Sequence, residues 1–289
     1  MDLPVLFGAN VDPTWEPVDG PERTALAAER LGLDLATIQD HPYQKAFYDT
    51  WTLLSFLAAR TERVILVPTV ASLPLRPPAV LAKSAASLDL LTGGRVRLGL
   101  GAGAFWEAVG AMGGPRRGPR EAVDALAEAI EVIRAMWSGQ RSARVDGEHY
   151  ALAGVHPGPR PGADLGLWLG AYGPRMLALT GARADGWLPS HAFLGLDRLG
   201  DAVRRVDDAA VEAGRDPAAI RKVYNISGLI EPSEVEAFRG PVAHWVDRLV
   251  ALVTEHGMNG FVYWPADDHE RQLATFAAEV VPAVREALR

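Results

Sequence analysis

The chain has 289 residues, 29 lysines and arginines against 36 aspartates and glutamates, and no cysteine. The lack of thiols excludes disulfide scaffolds, thiolate metal sites, iron–sulfur clusters and cysteine nucleophiles, and a net charge of −7 repels polyanions. The densest basic group, Arg116, Arg117 and Arg120, is too short for a nucleic-acid stripe, and the longest charge-free apolar stretch, Val64–Leu75, falls short of the roughly 20 residues of a membrane span. The N-terminus lacks the cationic-then-apolar shape of a signal peptide, so a cytoplasmic protein with no nucleic-acid or membrane partner is expected.

Short apolar runs bounded by turn residues alternate along the chain with longer helical patterns. The first strand is expected over Leu3–Ala9. A helix follows from about Pro21, a residue suited to a first helical turn, to Leu31, with Gly32 ending it. Leu35–Gln39 reads as strand two, Asp49 can cap a helix running to Arg60, and Arg63–Thr69 is strand three. Pro77–Leu91 is a helix with Leu81, Ala85, Leu88 and Leu91 on one face, stopped by Gly93-Gly94. Strand four, Val96–Gly99, precedes a long helix from Pro119 that carries Ala122, Leu126, Ile130, Ile133 and Trp137 at helical spacing. From Gly139 to Asp164 the pattern breaks into glycine and proline. A hairpin is expected there from Ala143–Val145 and Tyr150–Leu152, and the stretch reads as an insertion after helix four. Strands Gly166–Leu169, Gly186–Leu188, Val223–Leu229 and Gly260–Trp264 then alternate with helices Pro174–Arg183, Asp197–Ala213, Val242–His256 and Asp268–Leu288.

Eight strands, each followed by a helix, are the sequence form of a closed parallel α/β barrel, the (β/α)8 or TIM barrel, here expected as a single domain over residues 1–289. A doubly wound open sheet would place its glycine-rich fingerprint after strand one. The loop Asn10–Gly20 has only one glycine, and the glycines gather after strand four. In a barrel, chemistry belongs to residues at the carboxyl ends of the strands.

After strand two comes Gln39-Asp40-His41-Pro42-Tyr43, the densest titratable group at any strand end. An imidazole beside a carboxylate can have its pKa raised or its tautomer fixed, which suits a proton donor. Asp40 could equally cap the loop, leaving His41 an ordinary loop residue. After strand four, Gly99-Leu100-Gly101-Ala102-Gly103-Ala104-Phe105-Trp106 either offers backbone N–H groups to a phosphate or flat ring or makes a tight strand-to-helix turn. After strand five, Gly170-Ala171-Tyr172-Gly173-Pro174-Arg175 places a helix N-terminus and a guanidinium where an anion could sit, unless it is simply a capped helix. Trp106, Trp187 and Trp264, with Asn10 and Tyr43 from neighbouring loops, are candidate walls of a substrate pocket, core packing being the alternative for each tryptophan. Glu107, the one carboxylate beside the glycine-rich loop, is a catalytic candidate or a solvated side chain. The histidines lack metal-ligand spacing, so no metal is expected, and no Gly-x-Ser-x-Gly elbow is present.

Several of these segments together carry a resemblance. They are Ile38-Gln39-Asp40-His41-Pro42, Val67-Pro68-Thr69-Val70 leading into Pro74-Leu75-Arg76-Pro77-Pro78, Leu88-Asp89-Leu90-Leu91-Thr92-Gly93-Gly94-Arg95-Val96, Leu98 to Gly103 and Ala184-Asp185-Gly186-Trp187. The set resembles the bacterial luciferase-like superfamily of (β/α)8 barrels, which bind FMN or the deazaflavin coenzyme F420 at the carboxyl face. The Asp40-His41 pair is most similar to the F420 branch. The resemblance implies that Asp40 and His41 meet the cofactor ring and the reacting substrate. It also implies that Thr69-Val70 is a cis non-prolyl peptide behind the ring, and that the loops Gly101–Gly103 and Gly170–Arg175 seat the phosphate. In one respect the chain departs from the family's sugar-phosphate dehydrogenases. They carry a catalytic Glu directly after the glycine-rich loop, where this chain has Ala104, with Glu107 three residues on.

The expected function is therefore an F420-dependent oxidoreductase that transfers a hydride between the cofactor and a small organic substrate. His41 would deliver a proton or stabilise charge, with Asp40 orienting it. The alternatives are an FMN-dependent monooxygenase using oxygen and reduced flavin from a reductase partner, and a non-catalytic flavin-binding relative. The resemblance also implies a homodimer.

Overall fold

A computed structural model describes residues 3–162, 164–233 and 237–289. β1 (Leu6–Asn10) leads through a loop to α1 (Gly20–Arg30), whose Pro21 sits in the first turn, where a missing N–H costs nothing. β2 (Leu35–Ile38) is followed by α2 (Thr50–Ala58), capped as expected by Asp49, which accepts the Thr52 N–H at 2.8 Å. Strand three comes in two pieces, β3 (Ile65–Pro68) and β4 (Ala71–Ser72), separated by the Thr69–Val70 peptide, which is cis. A 3-10 turn over Leu73–Leu75 opens into α3 (Pro78–Leu91). β5 (Leu98–Gly101) precedes a short α4 (Trp106–Ala111) and the long α5 (Pro119–Trp137).

The insertion carries an antiparallel hairpin of β6 (Ala143–Val145) and β7 (Leu152–Val155). Then follow β8 (Leu167–Leu169), α6 (Pro174–Arg183), β9 (Gly186–Trp187), α7 (Leu196–Glu212), β10 (Arg221–Ile230), β11 (Arg239–Gly240), α8 (Val242–His256) and β12 (Gly260–Pro265). The chain closes with α9 (His269–Thr275), a π turn over Phe276–Val280 and α10 (Val281–Ala287).

The barrel strands pair in parallel in the order β3-β2-β1-β12-β10-β9-β8-β5-β4. The ring closes where Leu66 of β3 exchanges hydrogen bonds with the segment leading into β5, its N–H reaching the Arg95 carbonyl at 2.9 Å and its carbonyl accepting the Arg97 N–H at 3.1 Å. The expected barrel is thus present, nine strand segments forming a nearly closed parallel ring wrapped by helices. Strand residues alternate between two environments. Leu35, Val67, Trp168, Leu188, Val223 and Val262 fill the lumen as one apolar cluster, while Ala36, Leu66 and Leu98 face the helices. Glycines make room for that filling. A Cβ added at Gly99 would lie 1.9 Å from the Pro68 carbonyl oxygen, and one at Gly8 would lie 2.5 Å from Leu35 Cβ.

Six local expectations need correction. The second strand of the hairpin is Leu152–Val155 rather than Tyr150–Leu152, and Leu91, expected on the apolar face of its helix, is 84% exposed at the last position of α3. The first strand begins at Leu6, not Leu3, because the Asn259 carbonyl that bonds the Leu6 N–H is the first partner the sheet offers. Strand four runs over Leu98–Gly101 rather than Val96–Gly99, with Val96 acting as the closing bridge. α4 was not anticipated and, among the described residues, makes a ninth helix where eight were expected. The helix expected over Asp268–Leu288 is interrupted by the π turn just before Pro282, which has no N–H to continue the ladder. Among the described residues no helix is long and apolar enough to cross a membrane.

Candidate functional site

A cavity of about 670 Å3 opens at the carboxyl ends of the barrel strands. Residues contribute to it after β2 (Gln39, Asp40, His41, Tyr43), between β3 and β4 (Thr69, Val70) and after β5 (Gly101–Phe105). Others come after β8 (Gly170, Tyr172, Gly173), after β9 (Leu188, Ser190, Phe193) and from within β10 (Asn225, Ser227) and β12 (Trp264). It is the face on which barrel enzymes place their chemistry, since loops can vary there while the strands hold them rigidly.

Asp40 is fully buried at this rim and its carboxylate is completely engaged. Oδ2 accepts the Ser72 N–H at 2.9 Å and Arg76 Nε at 2.6 Å, and Oδ1 accepts Arg76 Nη2 at 2.8 Å. Arg76 also reaches Asp49 at 2.6 Å, joining the end of β2 to the cap of α2. Burial opposes the Arg76 charge, but its hydrogen bonds to Asp40 and Asp49 prevail and hold the guanidinium above its ordinary range. The expectation that Asp40 orients His41 is therefore corrected, because the carboxylate's hydrogen bonds go to Arg76 and the β4 backbone.

His41 Nδ1 instead lies 2.7 Å from the Tyr43 hydroxyl, and its ring packs against Tyr43 and edge-on to Phe105 at centroid distances of 5.5 and 5.7 Å. Burial holds the imidazole below its usual range, outweighing the upward pull of the Asp40 carboxylate. Either a raised pKa or a fixed tautomer is the expectation for an imidazole beside a carboxylate. The direction is the opposite of a raised pKa because burial of the ring outweighs the carboxylate. Burial, with Asp40 adding to it, pushes the Tyr43 phenol up to about 12, so that it keeps its proton. The pair is thus a neutral imidazole bonded to a protonated phenol, and Nε2 is the ring nitrogen left for a bound molecule.

The glycine-rich loop owes much of its composition to Val70. A Cβ added at Gly101 would lie 2.7 Å from Val70 Cγ2, and one at Gly170 would lie 3.1 Å from the same atom, so both glycines admit the valine that projects between them. Gly103 has a positive φ of 111°, which glycine adopts freely. Phe105 then opens α4 in a left-handed conformation (φ 54°), uncommon for a bulky residue, with its ring at the rim beside His41 and Tyr43. Three polar atoms of cavity residues, Thr69 Oγ1, Asn225 Oδ1 and Trp264 Nε1, are buried without a partner among the described residues. Leaving such atoms unsatisfied costs about 1 to 3 kcal/mol each, so the arrangement is explained if a bound molecule meets them.

Other sequence candidates lie elsewhere. Glu107 is 87% exposed and paired with Arg116 at 2.8 Å, outside the cavity lining. Arg175 turns to Asp124 at 2.6 Å, so the first turn of α6, opened by Pro174, faces the cavity through Gly173 without that guanidinium. Trp187 is wholly buried in the core, its Nε1 donating to the Ala171 carbonyl at 3.0 Å. Asn10 bonds Asp12 at 2.8 Å, and Trp106 packs against Gly103 without lining the cavity. Ala102 and Tyr43 do line it, as does Trp264. Residues that sequence reasoning missed include Arg76, Met176, Ser190, Phe193 and Asn225. Arg76 sat inside the resembling segment, but nothing in a lone arginine before two prolines marks it as the partner of Asp40. Among the described residues no cluster of three or more His, Asp or Glu could hold a metal ion.

Comparison with known proteins places this geometry. The model of the luciferase-like monooxygenase family matches residues 5–283. The phthiodiolone/phenolphthiodiolone dimycocerosates ketoreductase of Mycobacterium kansasii is 34% identical over 246 residues, which cover 82% of this chain and 62% of that protein. This chain therefore spans about three-fifths of the length of that relative. The F420-dependent glucose-6-phosphate dehydrogenase of Intrasporangium calvum is 27% identical over 311 residues, covering 89% of this chain and 92% of that one. The fold matches the structure of an F420-dependent secondary alcohol dehydrogenase in complex with an F420-acetone adduct, with a TM-score of 0.86 at 20% identity over 98% of this chain and 100% of the other.

Proposed function

The chain belongs to the luciferase-like monooxygenase family, and we propose that it is an F420-dependent oxidoreductase acting on a small organic alcohol or ketone. The observation that carries the reading is the placement of neutral His41 in the same cavity as the three unpartnered atoms Thr69 Oγ1, Asn225 Oδ1 and Trp264 Nε1. Relatives named for F420 and for ketone reduction support it.

The residues present fit a deazaflavin. An acceptor, a hydroxyl and an indole N–H without partners suit the polar edge of a ring that carries N–H and carbonyl groups, and the cavity volume is of the size that holds a cofactor. When bound, the ring supplies or accepts the hydride. Val70 would support one face of it, and the Gly101–Gly103 loop with Gly173 at the start of α6 would receive the phosphate through backbone N–H groups. His41 Nε2 would hold the proton shared with the substrate oxygen, while the Tyr43 hydroxyl on Nδ1 keeps the ring oriented. Asp40 contributes by fixing the loop through Arg76. Glu107, solvated and paired, has no part in this reading.

The rival reading is an FMN-dependent monooxygenase supplied by a reductase partner, favoured by the family's description. One titration separates them. Micromolar binding of F420, followed by its absorbance and fluorescence, with weaker binding of FMN, supports the deazaflavin reading. Tight FMN binding without F420 binding overturns it. We further read the chain as a single-domain, cytoplasmic homodimer, the dimer being tested by light scattering.

A further inference from the structure

The cavity is lined on its deep side by polar groups and at its mouth by aromatic rings. Among the described residues that line it there is no lysine or arginine, and Asp40, the only carboxylate, is already matched by Arg76. With His41 neutral, the chamber holds no uncompensated charge. With the backbone N–H groups of Gly101–Gly103 and Gly173 assigned to the cofactor phosphate, a phosphorylated or carboxylated substrate would leave water for the remainder of the chamber, where no countercharge meets it, which is strongly unfavourable. The mouth has the opposite character. Phe105 is 60% exposed, Phe193 64% and Tyr172 39%, although all three line the cavity. Tyr172 and Phe193 stand against each other at 5.5 Å between centroids, and Phe105 packs on Tyr43 at 5.8 Å. Arg198 donates to the Phe193 carbonyl at 2.6 Å, tethering the loop that presents that ring. Large apolar rings left in water beside a cavity mark a surface that a ligand covers.

We propose that the substrate is an uncharged ketone or secondary alcohol with an extended apolar substituent, its oxygen at His41 and its hydrocarbon part against Phe105, Tyr172 and Phe193. This inference rests on the reading of the cavity as the oxidoreductase site. It makes the three aromatic residues determinants of specificity for chain length rather than participants in the chemistry.

The test is equilibrium binding by calorimetry of a 2-alkanone series, from 2-butanone to 2-nonanone, and of glucose 6-phosphate. The protein is first titrated with F420, and the series is run on the protein saturated with it. If F420 does not bind, the cofactor reading has failed, and the same series is run on FMN-saturated protein, so the substrate inference is judged in either case. The expected result is affinity rising about fourfold for each added methylene until the mouth is covered, which is the fold-change of burying one CH2. That slope should flatten in Phe105→Ala and Phe193→Ala and persist in Phe193→Leu. Circular dichroism checks that these exposed positions leave the fold intact. A flat series, or glucose 6-phosphate binding as tightly as the longest ketone, overturns the inference.

Discussion

Replacing Arg76 by methionine tests the central ion network. The wild-type guanidinium makes two hydrogen bonds to the buried Asp40 carboxylate, at 2.6 and 2.8 Å, and one to Asp49 at 2.6 Å. Methionine restores volume but leaves Asp40 as an uncompensated buried charge, which costs about 3 to 5 kcal/mol when such a pair is broken. The Ser72 N–H at 2.9 Å remains as a partner, and Asp49 is half-exposed and keeps its bonds to Thr52. The loss should therefore fall at the low end, about 3 kcal/mol. Chemical unfolding at pH 7 should report it as a lower midpoint at unchanged slope. The double variant Arg76→Met/Asp40→Leu should recover most of the loss, because the stranded charge goes with its partner. The same change should move His41. With the guanidinium gone, the Asp40 carboxylate acts on the imidazole unopposed and its pKa should rise, as followed by NMR titration of the ring protons. A single variant within about 0.5 kcal/mol of wild type, with an unmoved His41 titration, would refute the account of Asp40 as a charge held by Arg76.

Three further outcomes are expected. Gly181→Ala should lower thermal stability by about 1 to 3 kcal/mol, because the new Cβ would lie 2.1 Å from the Val206 carbonyl oxygen and force α6 from α7; unchanged calorimetric melting would show that the helices can part freely. Glu107→Gln should leave turnover within about twofold, whereas loss of a general acid or base typically costs 10²- to 10⁴-fold, and a loss of that size would return this exposed carboxylate to the chemistry. Because burial lowers the His41 pKa from 6.5, the folded protein resists protonation there while the unfolded chain does not. The group's contribution is intact above about pH 6.5 and lost as pH falls through the depressed value, so stability should decline over that window and the decline should be reduced in His41→Gln.

The order of strands and helices was legible because periodicity and turn residues act locally: Asp49 caps its helix and Gly32 follows the end of α1 where expected. What escaped reading depends on closure of the ring. The division of strand three places β3 beside β2 and β4 beside β5, and pairing of this kind is set by neighbours absent from the local sequence. Ser190, Phe193 and Asn225 are ordinary loop and strand residues until β9 and β10 take their places and point them into one cavity. The glycines after strand four were visible, yet the reason for Gly101 is Val70, a valine thirty-one positions earlier whose projection no spacing rule announces. Trp187 misled for a related reason: it ends a two-residue strand, but its side chain turns inward to the core, where the Ala171 carbonyl satisfies its N–H.

The Asp40-His41 pair carries the deeper lesson about the site. Adjacency suggested a carboxylate–imidazole couple, yet the chain turns just after His41, the Gln44 N–H bonding the His41 carbonyl at 2.8 Å, and that turn brings residues 41 and 43 together. His41 accordingly finds Tyr43, and Asp40 finds Arg76, thirty-six positions away. The consequence is chemical. A true Asp–His couple would favour an imidazolium and give the cavity a fixed charge; the observed pairing spends the carboxylate on the scaffold and leaves a neutral ring. Hydride transfer to a ketone would leave negative charge on the substrate oxygen, and a proton donor at that atom, the role proposed for His41, would meet it. A sugar phosphate carries its charge into the site from the start. The arginine that pairs with Asp40 therefore bears on the charge the cavity presents to a bound molecule.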